Sequence, residues 1–424
     1  MLIVSDIREN KTAFAAGLAK RGIENGAQLL EDVLSLDDNR KSTQAELDEL
    51  LAEGNQLAKS IGRLMKEGKK DEANEAKQKT SELKEKTKGL GHSLDDIKKE
   101  LLDKLYAIPN IPNESVPAGK TEEDNEILFT VDKMPEVPAD ALPHWELIKK
   151  YDIIDFDLGV KITGAGFPVY KGKGARLQRA LVNFFLDEAV AAGYAEIQPP
   201  VVINEASGIG TGQLPDKEGQ MYHLSGSDLY LIPTAEVPVT NLYRDVIIDE
   251  KDLPIKNAAF TPCFRKEAGS WGSHVRGLNR LHQFDKVEIV QVQHPDKSFE
   301  TLDTMVKHVE GLLKKLELPY RILKLCAGDL GFTSHITYDF EVYSAAQKRW
   351  LEVSSVSNFQ DYQANRLKLR YRDADNKKHL LHTLNGSALA LPRIIAAILE
   401  NGQSESAIAI PEVLRSYTGF DSIS

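Results

Sequence analysis

Residues 264–288, "FRKEAGSWGSHVRGLNRLHQFDKVE", set guanidinium, ammonium and carboxylate groups on either side of a middle containing Gly269, Gly272 and Gly277. If the two limbs pair as adjacent antiparallel strands, Arg265 and Glu267 share a face, being two residues apart. Arg280, Phe284 and Glu288 are spaced four apart and share a face as well. One surface then carries two arginines, two glutamates and an aromatic ring. A nucleotide site needs that mixture: guanidinium forks for phosphate, a ring to stack on a base, and an acceptor for an exocyclic amine. The alternatives are a solvated loop, a patch for a longer nucleic acid, or a cross-strand ion-pair ladder with Phe284 in the core.

Two further groups could add chemistry. Glu352 and Ser355, in "EVSS", offer hard oxygen ligands of the kind that suit Mg²⁺, or Glu352 is an ordinary strand carboxylate. "TAE", Thr234–Glu236, pairs a hydroxyl with a carboxylate, or simply starts a helix with Thr234 as N-cap. Neither G-x-G-x-x-G after a first strand nor G-x-x-x-x-G-K-[ST] occurs, so neither common phosphate loop is present.

The elements that position these groups fall into two kinds. Leu36, Arg40, Thr43, Leu47, Leu50, Gly54, Leu57, Ile61 and Leu64 recur at alternating spacings of 4 and 3. After "KEGKKDE" the alternation resumes with Ala73, Ala76, Thr80, Leu83, Thr87, Leu90, Leu94, Ile97 and Leu101. A sustained 3.5-residue period predicts a left-handed coiled coil, here two antiparallel arms turning at Gly68, Lys69 and Lys70. A helix from Leu29 to Lys66 is roughly 57 Å long, longer than a domain core, so the hairpin is expected to project. Its charge is uneven. Acids crowd the root, whereas Lys59, Arg63, Lys66, Lys69 and Lys70 make the tip basic. A phosphate backbone would suit that tip; a solvated face or a protein-docking arm would look the same.

Pro109, Pro112 and Pro117 end the helical pattern and mark a stiff linker. The expected division is an N-terminal arm at 1–106, a linker at 107–120 and a globular body at 121–424. In the body, an amphipathic helix followed by Gly193 precedes a strand broken by Pro199 and Pro200. Strands are expected at 229–233, 258–264, 285–292 and 349–354, and helices at 298–316 and 388–400. Hairpins without regular βα units predict an α+β fold, an antiparallel sheet flanked by helices.

A net charge of −11 excludes a generally basic nucleic-acid binder, so positive charge for such a partner has to be local. Hydrophobic content of 42% and charged content of 28% are those of an ordinary globular protein. Cys263 and Cys326 can build neither a disulfide framework nor a CxxC-type zinc site, so no zinc is expected. Asp6 interrupts the N-terminus too early for a signal peptide, and no apolar run is long enough to span a membrane; the expectation is a cytoplasmic protein with no membrane partner.

Arg265 and Glu267, the long loop, and Arg280, Phe284 and Glu288 together resemble motif 2 of class II aminoacyl-tRNA synthetases. "LIPTAEVP", "FRKEAGS", "HQFDKVE", "LEVSSVSNFQDYQANR" and "HTLNGSALA", in this order along the chain and with the N-terminal hairpin, are similar to the bacterial-type seryl-tRNA synthetase family over essentially the whole chain. The resemblance implies a class II antiparallel sheet behind a tRNA-binding arm, a homodimer, and two-step chemistry. L-Serine and ATP give seryl-adenylate and pyrophosphate. Serine then passes to the 3′-terminal ribose of tRNA(Ser), and of tRNA(Sec) where present.

Residue by residue, the resemblance implies Arg265, Glu352 and Arg393 as catalytic. Arg265 grips the α-phosphate, Glu267 accepts from the adenine amino group, and Phe284 stacks on adenine with Arg393 on the opposite face. Lys266, Arg280, Leu281, Val353 and Ser354 complete the ATP contacts, and Glu352 and Ser355 hold Mg²⁺ through ATP. Thr234, Ala235, Glu236, Arg265, Glu288, Asn385 and Ser387 bind serine. Pro200 matches the motif-1 proline of the dimer interface. Trp271 is a candidate for stacking on the tRNA end, and Arg276 is open between a tRNA contact and a lid residue. Motif 3 departs from the class pattern, with Ala388 and Pro392 in glycine-type positions. A synthetase-derived paralogue without charging activity is the alternative, but such a protein should lose Arg265, Arg393 or Glu352, all of which are present.

Overall fold

The computed structural model describes residues 1–267 and 276–424. Trp271, Gly269 and Gly272 lie outside the described residues. The chain divides into two compact units, one of Leu2–Ala19 and Ile23–Pro109, the other of Asn110–Ser424 with Met1 and Lys20–Gly22.

Two long helices dominate the first unit, α1 (Gly26–Lys66) and α2 (Lys70–Ala107). They pack on each other along their length. Every position of both 4-3 series is buried or half-buried, whereas most residues between them are exposed. The heptad period therefore marks the seam, as expected of a two-stranded coiled coil. Ala73 and Ala76 are buried, so the small residues near the tip bring the helices close rather than leaving them unpacked. Gly68 makes the turn with φ +76°, a conformation that favours glycine.

The second unit is built on an eight-stranded sheet: β1 (Glu126–Thr130), β2 (Ala195–Glu196), β3 (Ile255–Phe264), β4 (Gln283–Gln293), β5 (Tyr320–Lys324), β6 (Ile336–Ser344), β7 (Arg349–Gln360) and β8 (His382–Ala390). Their order is β1-β5-β6-β7-β8-β4-β3-β2. All pairs are antiparallel except β2 with β3, where short β2 runs parallel along the edge. Period-two alternation sends Val287, Ile289, Phe340, Val342, Val356 and Leu384 into the main core, shared with the helices α3 (His144–Lys150), α4 (Gly172–Ala191), α6 (Ser298–Lys315) and α7 (Leu391–Asn401). The opposite face carries the polar side chains Glu288, Asn385, Ser355 and Asp339. The short helix α5 (Glu236–Asn241) lies over it, with Ala235 and Val239 packed on Ala259 and Val290.

One element differs from expectation. Residues 388–390 extend β8 instead of opening a helix, and α7 begins at Leu391 with Pro392 in its first turn. A proline is tolerated there because an N–H in the first turn would have no intrahelical partner, and its ring would clash with the carbonyl four residues back, at Ala388, if the helix began earlier.

Candidate active site

The sheet's polar face collects side chains from four adjacent strands. At its centre, β4 presents Phe284, Lys286 and Glu288 in alternation, and β8 presents Asn385 and Ser387 beside them. Glu288 is buried, and each of its oxygens has partners. Oε1 accepts from Asn385 Nδ2 at 3.1 Å. Oε2 accepts from the Thr234 hydroxyl at 3.0 Å and forms an ion pair with the buried Lys286 ammonium. Asn385 Nδ2 also reaches Glu236 Oε2 at 2.9 Å, and Gln363 Nε2 donates to Glu236 Oε1 at 2.7 Å.

Two buried carboxyls thus share one amide, but only Glu288 has an ammonium against it. Burial, then the Glu288 charge, pushes the Glu236 carboxyl up to about 7. The Thr234 hydroxyl donates to Glu288 and its oxygen accepts from the Glu236 N–H at 3.3 Å, but the N-cap of α5 is Ala235, not Thr234. Ala235 is fully buried, and Ser387 is buried opposite Glu288 in the ladder.

Next to this pocket the chain leaves the sheet. β3 ends at Phe264 and β4 begins at Gln283, so Arg265, Glu267 and Arg280 are not strand residues as the face argument supposed. Past the strand ends, the Arg265 N–H donates to the His282 carbonyl at 2.9 Å and extends the ladder by one contact. At Glu267 φ is +49°, which turns the chain away. The charged groups still converge. Arg280 Nη1 donates to Glu267 Oε2 at 2.6 Å, and the Arg265 guanidinium lies 5.3 Å from the centre of the Phe284 ring. Phe284 is only partly buried and packs against the core, so the core-ladder alternative holds in part. Lys266 is exposed, with its ammonium 5.9 Å from the Tyr222 ring, and Leu281 is buried in the core.

On the far side, Arg393 of α7 donates from Nη1 to the Glu352 carbonyl at 2.6 Å and from Nε to the Asn279 carbonyl at 3.1 Å. Its guanidinium lies 3.7 Å from the Glu352 carboxylate. Ser355 Oγ is 3.4 Å from Glu352 Oε1. Val353 is buried in the core, and the Ser354 hydroxyl donates to the Ser387 carbonyl at 2.5 Å, tying β7 to β8. A bulge in the β6–β7 ladder near Phe340 and Glu341 lets Glu352 and Ser355 both reach the polar face.

Residues 1–112 match the family described as the seryl-tRNA synthetase N-terminal domain, and residues 222–402 match the class II tRNA synthetase core domain of the G, H, P, S and T types. A serine--tRNA ligase from Salinibacter ruber is 48% identical over 422 residues, covering 99% of this chain and 98% of that protein. One from Akkermansia muciniphila is 46% identical over 427 residues, covering 100% and 99%. The chain belongs to the seryl-tRNA synthetase family. A seryl-tRNA synthetase from Pyrococcus horikoshii, solved in complex with ATP, superposes with a TM-score of 0.92 at 34% identity, over 100% of this chain and 99% of that one. The cytoplasmic serine-tRNA ligase from Naegleria fowleri, in complex with AMP, gives 0.87 at 27% identity, over 100% and 99%.

Four polar residues around this face were not singled out in the sequence. Lys286 could have been, since it stands between Phe284 and Glu288 and the same alternation brings it to the face. Gln363 and Asn279 act through one amide or carbonyl each, and no pattern announces such contacts. Asp339 sits opposite Ser355 in the β6–β7 ladder and is hydrogen-bonded to it. Burial and the nearby Glu352 carboxylate raise the Asp339 carboxyl well above its ordinary range.

Whether Mg²⁺ suits the place can be judged from these oxygens. Glu352 is an exposed carboxylate, Ser355 supplies a hydroxyl beside it, and Asp339 Oδ1 is shielded from solvent with no partner among the described residues. Hard oxygen donors with a nearby uncompensated carboxyl suit a cation that takes its remaining ligands from water and phosphate. The residues fit the ion. Among the described residues no cluster of three His, Cys, Asp or Glu side chains forms a metal cage.

Proposed function

We propose that the chain is a serine--tRNA ligase that activates L-serine with ATP and transfers it to tRNA(Ser). The observation that carries the substrate assignment is the buried pair Glu236 and Glu288, bridged by Asn385. Glu288 already holds Lys286, so it is the acceptor for the serine hydroxyl. Glu236 faces no ammonium and takes the substrate's α-ammonium. A pocket that commits buried acceptors to a hydroxyl leaves them unpaired when alanine enters, which gives discrimination without editing.

Arg265 lies between this pocket and Phe284. It grips the serine carboxylate and the α-phosphate and stabilises the charge that grows as the carboxylate attacks phosphorus. Adenine stacks on Phe284, with Arg393 across from it and Glu267 accepting from its amino group. Lys266, Arg280 and Leu281 border the nucleotide, and Val353 and Ser354 shape its floor. Glu352 and Ser355 hold Mg²⁺, which when bound offsets phosphate charge. Little covalent chemistry falls to the protein, because ATP carries the leaving group; positioning and electrostatics suffice.

The first unit is the tRNA arm, with Lys59, Arg63, Lys66, Lys69 and Lys70 meeting phosphates. All five are exposed, and the carboxylates near Arg63 and Lys69 are loose partners at 3.6–3.9 Å. In this reading the arm is 1–106, the linker 107–120 and the catalytic domain 121–424. A homodimer is part of the same reading; exposed Leu158, Val160 and Ile162 are apolar surface that a second copy would cover. Among the described residues, no helix is long and apolar enough to cross a membrane. In this reading the enzyme is cytoplasmic. Serine-dependent ATP–pyrophosphate exchange tests the reading. Serine should support exchange at least about a hundredfold better, by kcat/KM, than alanine or glycine. Equal rates with alanine would contradict the pocket assignment.

A further inference from the structure

His144 and Glu400 are a fully buried pair far from any role assigned above. His144 opens α3, and both its backbone N–H and its ring Nδ1 meet Glu400 Oε1, at 2.8 and 2.7 Å. Its Nε2 accepts from the Leu278 N–H at 2.8 Å. A ring nitrogen that accepts carries no proton, so the proton is on Nδ1, whose N–H donates a hydrogen bond to the carboxylate. The Ser344 hydroxyl also donates to Glu400, and Gln347 Nε2 reaches Glu400 Oε1 at 2.8 Å. Burial alone would raise the Glu400 carboxyl, but these hydrogen bonds hold it below its ordinary range.

From Gln347 the contacts run back to the active site. Its Oε1 accepts from Asn279 Nδ2 at 3.1 Å, and the Asn279 carbonyl accepts from Arg393 Nε at 3.1 Å. Arg393 and Glu400 are both on α7, seven residues or two turns apart, and so lie on nearly the same side of it. The circuit Arg393–Asn279–Gln347–Glu400 is closed by the helix itself. α3 adds a second grip on the same turn. Arg276 lies 5.1 Å from the centre of the Trp145 ring and 3.4 Å from Glu146, and a Cβ at Gly277 would come within 2.3 Å of His144 Nε2.

We infer that His144, Glu400 and Gln347 are positioning residues for ATP: they fix residues 276–280 and the Arg393 guanidinium in the arrangement that receives the nucleotide. None of the three reaches the serine pocket, which is held by Thr234, Gln363, Lys286 and Asn385. Their loss therefore acts on ATP and spares serine. The inference rests on the ATP site proposed above.

The test is exchange kinetics on full-length His144→Ala, His144→Gln and Gln347→Ala. For His144→Ala the KM for ATP should rise about tenfold, the loss of one buried hydrogen-bond partner. Its kcat should stay within about threefold and its KM for serine within about twofold of the parent. A Gln at 144 has an amide to donate to Glu400 and a carbonyl to accept from Leu278, so it should recover most of the ATP affinity. Gln347, on a half-exposed hairpin, gives a variant that tests the circuit even if His144→Ala does not fold. Its KM for ATP should rise at least about threefold, roughly 0.65 kcal/mol. An unchanged KM for ATP in folded Gln347→Ala and His144→Ala, with only stability reduced, would overturn the inference. A parent protein without serine-dependent exchange would instead overturn the ATP site on which it rests.

Discussion

Of Glu236 and Glu288, Glu288 alone has the Lys286 ammonium against it, and that difference predicts a pH dependence. With a carboxyl pushed up to about 7, Glu236 gains its charge only as pH rises through neutrality. Below that pH it is protonated and cannot balance the serine ammonium. The KM for serine should therefore rise as pH falls from about 8 to 6, while the KM for ATP stays level over the same range. Glu236→Gln should raise the KM for serine about tenfold or more and flatten its pH profile. A profile for Glu236→Gln parallel to the parent's would assign the titration elsewhere. Arg265 is argued on transition-state charge, so Arg265→Ala should lower kcat for exchange by about 10²–10³, with a smaller change in either KM. The central residues were legible in the sequence because their spacing matched strand alternation and their order matched a family. Glu267 and Arg280 were found for a reason that fails in detail: they meet as an ion pair off the sheet, which strand periodicity does not describe. Asp339 and Gln363 were not legible, because only the β6–β7 register sets Asp339 opposite Ser355, and Gln363 reaches Glu236 from the short helix Asp361–Leu367.

At the scale of elements, the hairpin was the most legible part, since a 3.5-residue period over two arms has few other solutions. The start of α7 was not, because the apolar run through "GSALALPRIIAAI" suits a buried strand and a buried helix equally. Near the root of α1, Asp37 gathers Lys41, Arg40 and Arg8 around one buried carboxylate. Burial opposes its charge, but these three cations outweigh burial and hold it down to about 2. A depressed carboxylate stabilises the folded state above its unfolded pKa near 4, and that contribution is lost as pH falls toward 2. Asp37→Asn should thus lower the thermal midpoint of the helical signal by about 3 °C at pH 7, with the difference shrinking below pH 3. An equal shift at both pH values would mean that packing, not charge, accounts for it. Replacing residues 36–101 by a short linker should leave exchange intact while charging of tRNA falls. Intact charging would detach the arm from the function proposed for it.

Taken whole, a molecule of net charge −11 has to place its positive charge where phosphate arrives. In the function proposed above, the nucleotide meets Arg265, Lys266, Arg280 and Arg393, whereas a tRNA would need a longer basic surface, and the exposed tip of the hairpin offers one. Changing Lys66, Lys69 and Lys70 to Gln should weaken tRNA binding and make its salt dependence shallower by about 0.7–0.9 for each phosphate no longer neutralised. Serine-dependent exchange should not change in that variant. The measurement that bears most directly on the whole account is transfer of labelled serine to tRNA(Ser) by the purified protein. Serine should be found esterified to the 3′-terminal ribose, with one AMP formed per serine transferred. Serine-dependent exchange without transfer, or transfer of another amino acid in preference to serine, would contradict it.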